Sequence, residues 1–293
     1  MEQPNVQRHK VDDLQAADRG CVAVLTNVED TGRTVDSEQP TVAALLEELV
    51  SDIRAALGDN LVGIYLYGSY VSGGFDPGVS DLDLVAVTSR DADKIDLVGL
   101  DRTHLAFAGR HPEWSNRIET VYIGEDALWS FRTSPGRLAV ISPGEPFHLR
   151  DEPAADWVQN WYAVRETAVA LFGPPAASLI PPVSWSEFAA ASKRYAGELA
   201  AKSLDDFSPG YLAYSVLTMC RAQRTVETET NGSKQEAAAW ARERHSDWAW
   251  LIDAALHCRL SGGSVGFDDR VTRSAAVQFI RRVAVQISGS NTD

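Results

Sequence analysis

Gly68-Ser69-Tyr70-Val71-Ser72-Gly73-Gly74-Phe75-Asp76-Pro77-Gly78-Val79-Ser80-Asp81-Leu82-Asp83-Leu84 constrains this chain more than any other stretch. It joins a Gly-Ser turn to two aspartates one residue apart, and it lies between two apolar runs. Val62-Gly63-Ile64-Tyr65-Leu66-Tyr67 stops at Gly68 and predicts a buried strand ending in a turn. Leu82-Asp83-Leu84-Val85-Ala86-Val87 predicts a second strand. Side chains alternate along a strand, so Asp81 and Asp83 share a face.

Each part of the stretch implies a chemistry. Gly68 permits a sharp turn and close approach to an anion. Ser69 adds a hydroxyl to a turn whose successive N–H groups form an anion-binding concavity. Ser80, which leads into the aspartates, is grouped with Gly68 and Ser69 on the nucleotide side. Two neighbouring carboxylates repel unless a cation sits between them. Oxygen ligands beside a phosphate-holding turn suit Mg²⁺, which is bound by one or two carboxylates together with substrate phosphates. Either half alone is common and is more often structural. Their combination points to magnesium-assisted transfer of a nucleotide.

A length of 293 residues suggests about two domains. No apolar run approaches the roughly 20 residues needed to cross a membrane, and the first 30 residues are too charged for a signal-peptide core. Cys21, Cys220 and Cys258 are too widely spaced for a disulfide framework or a zinc motif, which makes a reducing cytoplasm the expected compartment. The net charge of −14 argues against nucleic acid, whose phosphates need a basic surface. It suits a small cationic substrate, although acidity also simply keeps proteins soluble. A monomer without membrane or nucleic-acid partners is expected.

Residues 1–37 carry mixed charge with few periodic apolar positions and are expected to form an extension, with disorder as one reading. From Pro40, the residues Val42, Leu45, Leu46, Leu49, Ile53 and Leu57 predict a helix. Ile118–Ile123 and Leu138–Ile141 read as further strands. After about residue 150 the period becomes helical, and Trp157, Val158, Trp161, Val164, Ala168 and Leu171 predict one helix face. Ser184-x-x-Glu187 and Ser233-x-x-Glu236 are capping-box patterns. Helices are also expected over Pro209 to about Val226, 246–260 and 268–288. The expected fold is an α/β (α+β) domain with a mixed sheet over 38–153, followed by an all-α helical bundle over 154–290.

The transfer also needs a base and cations for the displaced phosphates. Glu119, on the strand after the Asp-bearing one, can reach the same face as third carboxylate, general base or both. Lys234 follows the cap Ser233 at a helix N-terminus, where the dipole disfavours a cation unless an anion binds. It reads either as a phosphate contact or as a solvated lysine. Arg221, within the apolar pattern of its helix, reads as partner to a buried acid or as a phosphate contact.

Leu66-Tyr67-Gly68-Ser69 through Ser80-Asp81-Leu82-Asp83-Leu84 resembles the polymerase-β type nucleotidyltransferase superfamily. Leu217–Arg221 and Ser233–Arg244 look like the helical domain of the aminoglycoside adenylyltransferases that modify streptomycin at 3″ and spectinomycin at 9. The resemblance spans roughly residues 40 to 260. It implies Asp81 and Asp83 as magnesium ligands, Glu119 as the base, and Ser69, Arg221 and Lys234 as ATP-phosphate contacts. It also implies an antibiotic bound between the domains.

Relatives that accept streptomycin carry a tryptophan and an aspartate shortly before the arginine helix, and those positions fall near Ser208 and Tyr211. A family tyrosine near ATP falls near Cys258 or Arg259, and a family tryptophan after a Gly-Glu pair is Pro146. A spectinomycin-like acceptor is therefore favoured over streptomycin. The alternatives are an adenylyltransferase acting on a protein or another small acceptor, and a non-catalytic nucleotide-binding regulator.

Overall fold

The structure, a computed structural model, describes residues 41–133, 136–150, 154–203, 207–262 and 266–289. The expected extension over 1–37, together with Pro40 and Cys21, lies outside them. By contacts the chain divides into two compact units. One ends at Val71, resumes at Asp81 and closes at Pro182. The other comprises Ser72–Ser80 and the chain from Val183 onward.

The first unit is built on a six-stranded mixed sheet in the order β5-β4-β3-β2-β1-β6. Its strands are β1 (Leu61–Tyr67), β2 (Leu82–Thr88), β3 (Ile118–Gly124), β4 (Leu138–Ser142), β5 (Glu145–Arg150) and β6 (Val169–Phe172). Helix α1 (Val42–Leu57) precedes the sheet, capped by Thr41, whose hydroxyl accepts the Ala44 N–H. It packs on α2 (Leu97–Arg110) and against β1 and β6. Strands β1, β2 and β3 share one burial pattern, with every residue buried except the second. Such continuous apolar runs belong to strands covered on both faces. The half-buried second positions of β2 and β3 are Asp83 and Glu119.

Topology explains why these two meet. The pairing of β2 with β3 is parallel, while every other pairing in the sheet is antiparallel. A parallel pair needs a crossover, here α2, which returns the chain so that both strands start at the same sheet edge. Strand β1 runs the other way and ends at that edge. The end of β1 and the starts of β2 and β3 therefore converge.

One stretch departs from the helical expectation. The predicted face from Trp157 to Leu171 breaks: α4 (Val158–Thr167) ends at Ala168, and Val169–Phe172 becomes β6, paired with β1. The open side of β1 offers unpaired backbone groups, and the β-prone Val169-Ala170-Leu171-Phe172 satisfies them. The period after about residue 150 is thus not helical throughout. Helices α2 and α3 (Glu125–Trp129) and the second half of the β4–β5 hairpin also go beyond what the pattern showed.

The second unit holds α5 (Trp185–Ala201), α6 (Pro209–Thr228), α7 (Lys234–Arg244), α8 (Ala249–Leu260) and α9 (Arg270–Gly289). Both expected capping boxes are present, with reciprocal hydrogen bonds between Ser184 and Glu187 and between Ser233 and Glu236. Helix α6 touches each of the other four. It buries residues around most of its circumference, from Leu212 to Val226, as a central helix must. Cys220 and Cys258 are buried and not joined in a disulfide, and burial pushes the Cys220 thiol up to about 12, which makes that thiol inert.

Phe279 of α9 is fully buried in this core. Phe279→Ala should destabilise the helical unit by about 3–5 kcal/mol, read as a lower denaturant midpoint in chemical unfolding followed by helical circular dichroism.

Candidate active site

The converging strand ends gather the expected carboxylates of the first unit. Asp83 pairs in register with Tyr67 of β1 on one side and with Glu119 of β3 on the other. Residues in register on adjacent strands project to the same face, so Asp83 and Glu119 lie side by side. Asp81 stands two residues before Asp83, just ahead of β2, and its charge acts on Glu119. Gly68, at φ +75°, packs so closely that a Cβ there would come within 2.0 Å of Asp83 Oδ2. The turn therefore requires glycine twice over, for its left-handed backbone and for the space Asp83 occupies. Ser69 follows half-buried in the same turn.

Burial, more than any neighbour, raises the Glu119 pKa. The Ser142 hydroxyl, donating to Glu119 Oε2 over 3.1 Å, opposes the shift, and Asp81 adds to it. A raised carboxylate is a better proton acceptor near neutral pH than an ordinary one. Tyr67 is buried on the other side of Asp83 from Glu119. Burial, then Asp83 and Glu119, hold its pKa well above the ordinary value, while its hydroxyl oxygen accepts a hydrogen bond from Asn160 Nδ2 at 3.0 Å. A neutral hydroxyl thus sits beside two carboxylates. Arg117, immediately before β3, feels the charge of Asp81 and stacks 4.3 Å above Trp114.

The donors of Asp81, Asp83 and Glu119 are all hard oxygens, the set that suits Mg²⁺. Among the described residues no group of three or more His, Cys, Asp or Glu side chains forms a cage for a metal by itself. A cation bound jointly by two carboxylates and substrate phosphates needs no such cage.

In the helical unit, Lys234 begins α7, and its ammonium lies 4.6 Å from the Tyr214 ring centroid. Tyr214 is a hydrogen-bond partner of Tyr195, whose pKa is raised mainly by burial, and the charge of Arg221 opposes that rise. Lys234 and Arg221 therefore flank one tyrosine pair. Among the described residues Arg221 makes no ion pair with an acid, which leaves the acid-partner reading without support. Ser80 is buried, and its hydroxyl accepts hydrogen bonds from the Asp76 N–H at 2.9 Å and from Arg259 Nη2 at 3.0 Å. Its hydroxyl therefore serves the fold of its own loop.

The contacts of Tyr67, Arg117, Tyr214 and Arg259 are not legible in the sequence. Tyr67 reads as one more apolar strand position until the β1–β2 register is known. The others are set by contacts distant in sequence. A regular signal existed only for Tyr214, seven residues and two helical turns before Arg221.

Comparison with known proteins places both parts of the chain beside known domains. Residues 46–130 match a nucleotidyltransferase domain family, and residues 178–285 match the C-terminal domain of aminoglycoside adenylyltransferases. The chain resembles the aminoglycoside adenylyltransferases, with a nucleotidyltransferase match ahead of a match to their C-terminal domain. Spectinomycin 9-adenylyltransferases of Staphylococcus aureus strains Mu50 and N315 are each 25% identical to it over 219 residues, covering 71% of this chain and 79% of theirs. A crystal structure of the spectinomycin adenyltransferase AAD(9) from Enterococcus faecialis, with ATP and spectinomycin, shares the fold at a TM-score of 0.64 and 20% identity, covering 82% of this chain and 98% of that one.

The raised pKa of Glu119 has a sign that can be tested in metal-free protein. Its ionised form is disfavoured in the fold, so the stability it contributes is present at low pH and lost as pH rises through the window above 4.5. Glu119→Gln, which keeps an acceptor for Ser142, should therefore gain stability relative to the parent protein as pH rises. Thermal midpoints of both proteins across that window, in chelator, check the difference.

Proposed function

We propose that this protein transfers AMP from ATP to a hydroxyl of an aminocyclitol resembling spectinomycin, in a Mg²⁺-dependent reaction. The observation that carries this reading is the register of Tyr67, Asp83 and Glu119 at one sheet edge, with Gly68 packed against Asp83. Asp81 and Asp83, with Glu119 adjoining, would hold the cation. When bound, that cation offsets charge on the triphosphate and on the leaving pyrophosphate.

The chain's own residues then have separable tasks. Glu119 accepts the proton of the attacking hydroxyl, and its raised pKa suits that role. The Gly68-Ser69 turn presents backbone N–H groups to phosphate. Arg221 and Lys234 supply positive charge to the triphosphate, and Tyr214 beneath Lys234 fixes its ammonium by a cation–π contact. Holding the α-phosphorus in line with the hydroxyl converts binding into rate.

The preference for spectinomycin over streptomycin is supported at the start of α6. There Ser208 is the N-cap, accepting the Tyr211 N–H at 3.2 Å, and Tyr211 lies in ring contact with Phe207 and Tyr214. The resemblance puts the tryptophan and aspartate of streptomycin-accepting relatives near these two residues. The net charge of −14 favours a cationic acceptor over nucleic acid. The protein is expected to act as a monomer.

With spectinomycin, ATP and Mg²⁺, pyrophosphate release should exceed that with streptomycin. Asp83→Ala should lower turnover by roughly 10²–10³-fold, and Glu119→Gln by roughly 10²–10⁴-fold with ATP still bound. Spectinomycin-dependent pyrophosphate release at the parent rate in Asp83→Ala would remove the metal assignment. Label from α-labelled ATP entering protein in a cell lysate, and not small molecules, would favour the protein-acceptor reading.

A further inference from the structure

The segment Ser72–Ser80 is inserted between β1 and β2 yet belongs by contact to the helical unit. Its glycines and lone proline make it costly to order by itself. What orders it is a small polar network. The Asp76 carbonyl accepts the N–H groups of Val79 at 3.1 Å and Ser80 at 2.9 Å, and the Asp76 N–H donates to Ser80 Oγ. Side chains from two helices then close on this turn. Gln235 Nε2 of α7 donates to Asp76 Oδ1 at 2.6 Å, and Arg259 Nε of α8 donates to Asp76 Oδ2 at 3.4 Å. Arg259 Nη2 donates to Ser80 Oγ at 3.0 Å. Nearby, a Cβ on Gly74 would meet Ser233 Cβ at 2.7 Å, so the loop lies against the start of α7.

We propose that Arg259 is a positioning residue for nucleotide transfer, fixing through Asp76 and Ser80 the loop that delivers Asp81. The proposal rests on the function proposed above. The Arg259 and Asp76 side chains are only 20% and 15% exposed, so the pair is shielded from the solvent screening that makes surface ion pairs weak. The planar guanidinium binds two different residues of the turn at once, which an ammonium cannot reproduce with the same geometry. Ser80 is bonded directly to Asp81, and Leu82 begins β2. A loosened turn therefore moves Asp81 before it moves the sheet. Displacements of about 1 Å at a reacting centre cost up to roughly 10²-fold in rate.

The test uses the full chain with ATP and spectinomycin. Arg259→Ala should lower kcat by about 10–100-fold with the ATP KM changed less than about threefold, and amide hydrogen exchange at Val79 and Ser80 should quicken. Asp76→Asn should act similarly, Arg259→Lys should recover part of the rate, and the double variant should be no slower than the worse single one. Should Arg259→Ala misfold, Asp76→Asn and Arg259→Lys carry the same readings. A kcat within about twofold of the parent in a variant whose loop exchanges faster overturns the proposal. So do losses that multiply in the double variant, or a slow Arg259→Ala beside an unimpaired Asp76→Asn, since Arg259 would then act on the nucleotide itself. If the parent protein transfers no AMP to any aminocyclitol, the proposed function fails first; the exchange measurement still reports on the network.

Discussion

Two carboxylates in register on adjacent parallel strands are the constraint around which the sheet unit is arranged. Adjoining carboxylates favour a cation between them, and Glu119 is in addition raised by burial first and by Asp81 after it. The parallel pairing that brings them together needs the α2 crossover, and the antiparallel pairing of β1 brings the Gly68 turn to the same edge. Glycine at 68 follows in turn, because Asp83 occupies the space a side chain would fill. Turn, crossover and electrostatics are parts of one requirement.

The environment of that edge separates the roles of its titratable groups. Tyr67 stays neutral because ionisation would add a third charge in a buried place. Glu119 is held basic by burial and by Asp81, with the Ser142 hydroxyl limiting the effect. In the helical unit the cations are handled differently. Lys234 and Arg221 adjoin a tyrosine pair, where an aromatic face and a raised phenol can lie beside positive charge without neutralising it.

Much of this was readable from the chain. The strands at 61–67, 82–88, 118–124 and 138–142 and the two capping boxes follow from local pattern, because their stabilising contacts are near in sequence or repeat with the element's period. The proximity of Glu119 to Asp83 could be anticipated once both were placed at strand starts. Val169–Phe172 could not be read as a strand, since its apolar spacing continues that of α4, and the open edge of β1 decides the matter. Arg259 and Asp76 are 183 residues apart, and nothing in either neighbourhood marks a partner. Tyr67 was hidden for the opposite reason, being an ordinary strand residue whose importance comes only from register.

The attachment of Ser72–Ser80 to the helical unit has a consequence for how such chains can diversify. A recombination joint near residue 182 would appear to exchange whole modules, yet it would leave Asp76 and Ser80 behind and replace Arg259 and Gln235 with residues shaped for another loop. The helical half is therefore heritable only together with nine residues of the hairpin upstream. Point substitutions within that half leave the partners of the loop in place, whereas wholesale exchange of it removes the side chains that hold Asp76 and Ser80.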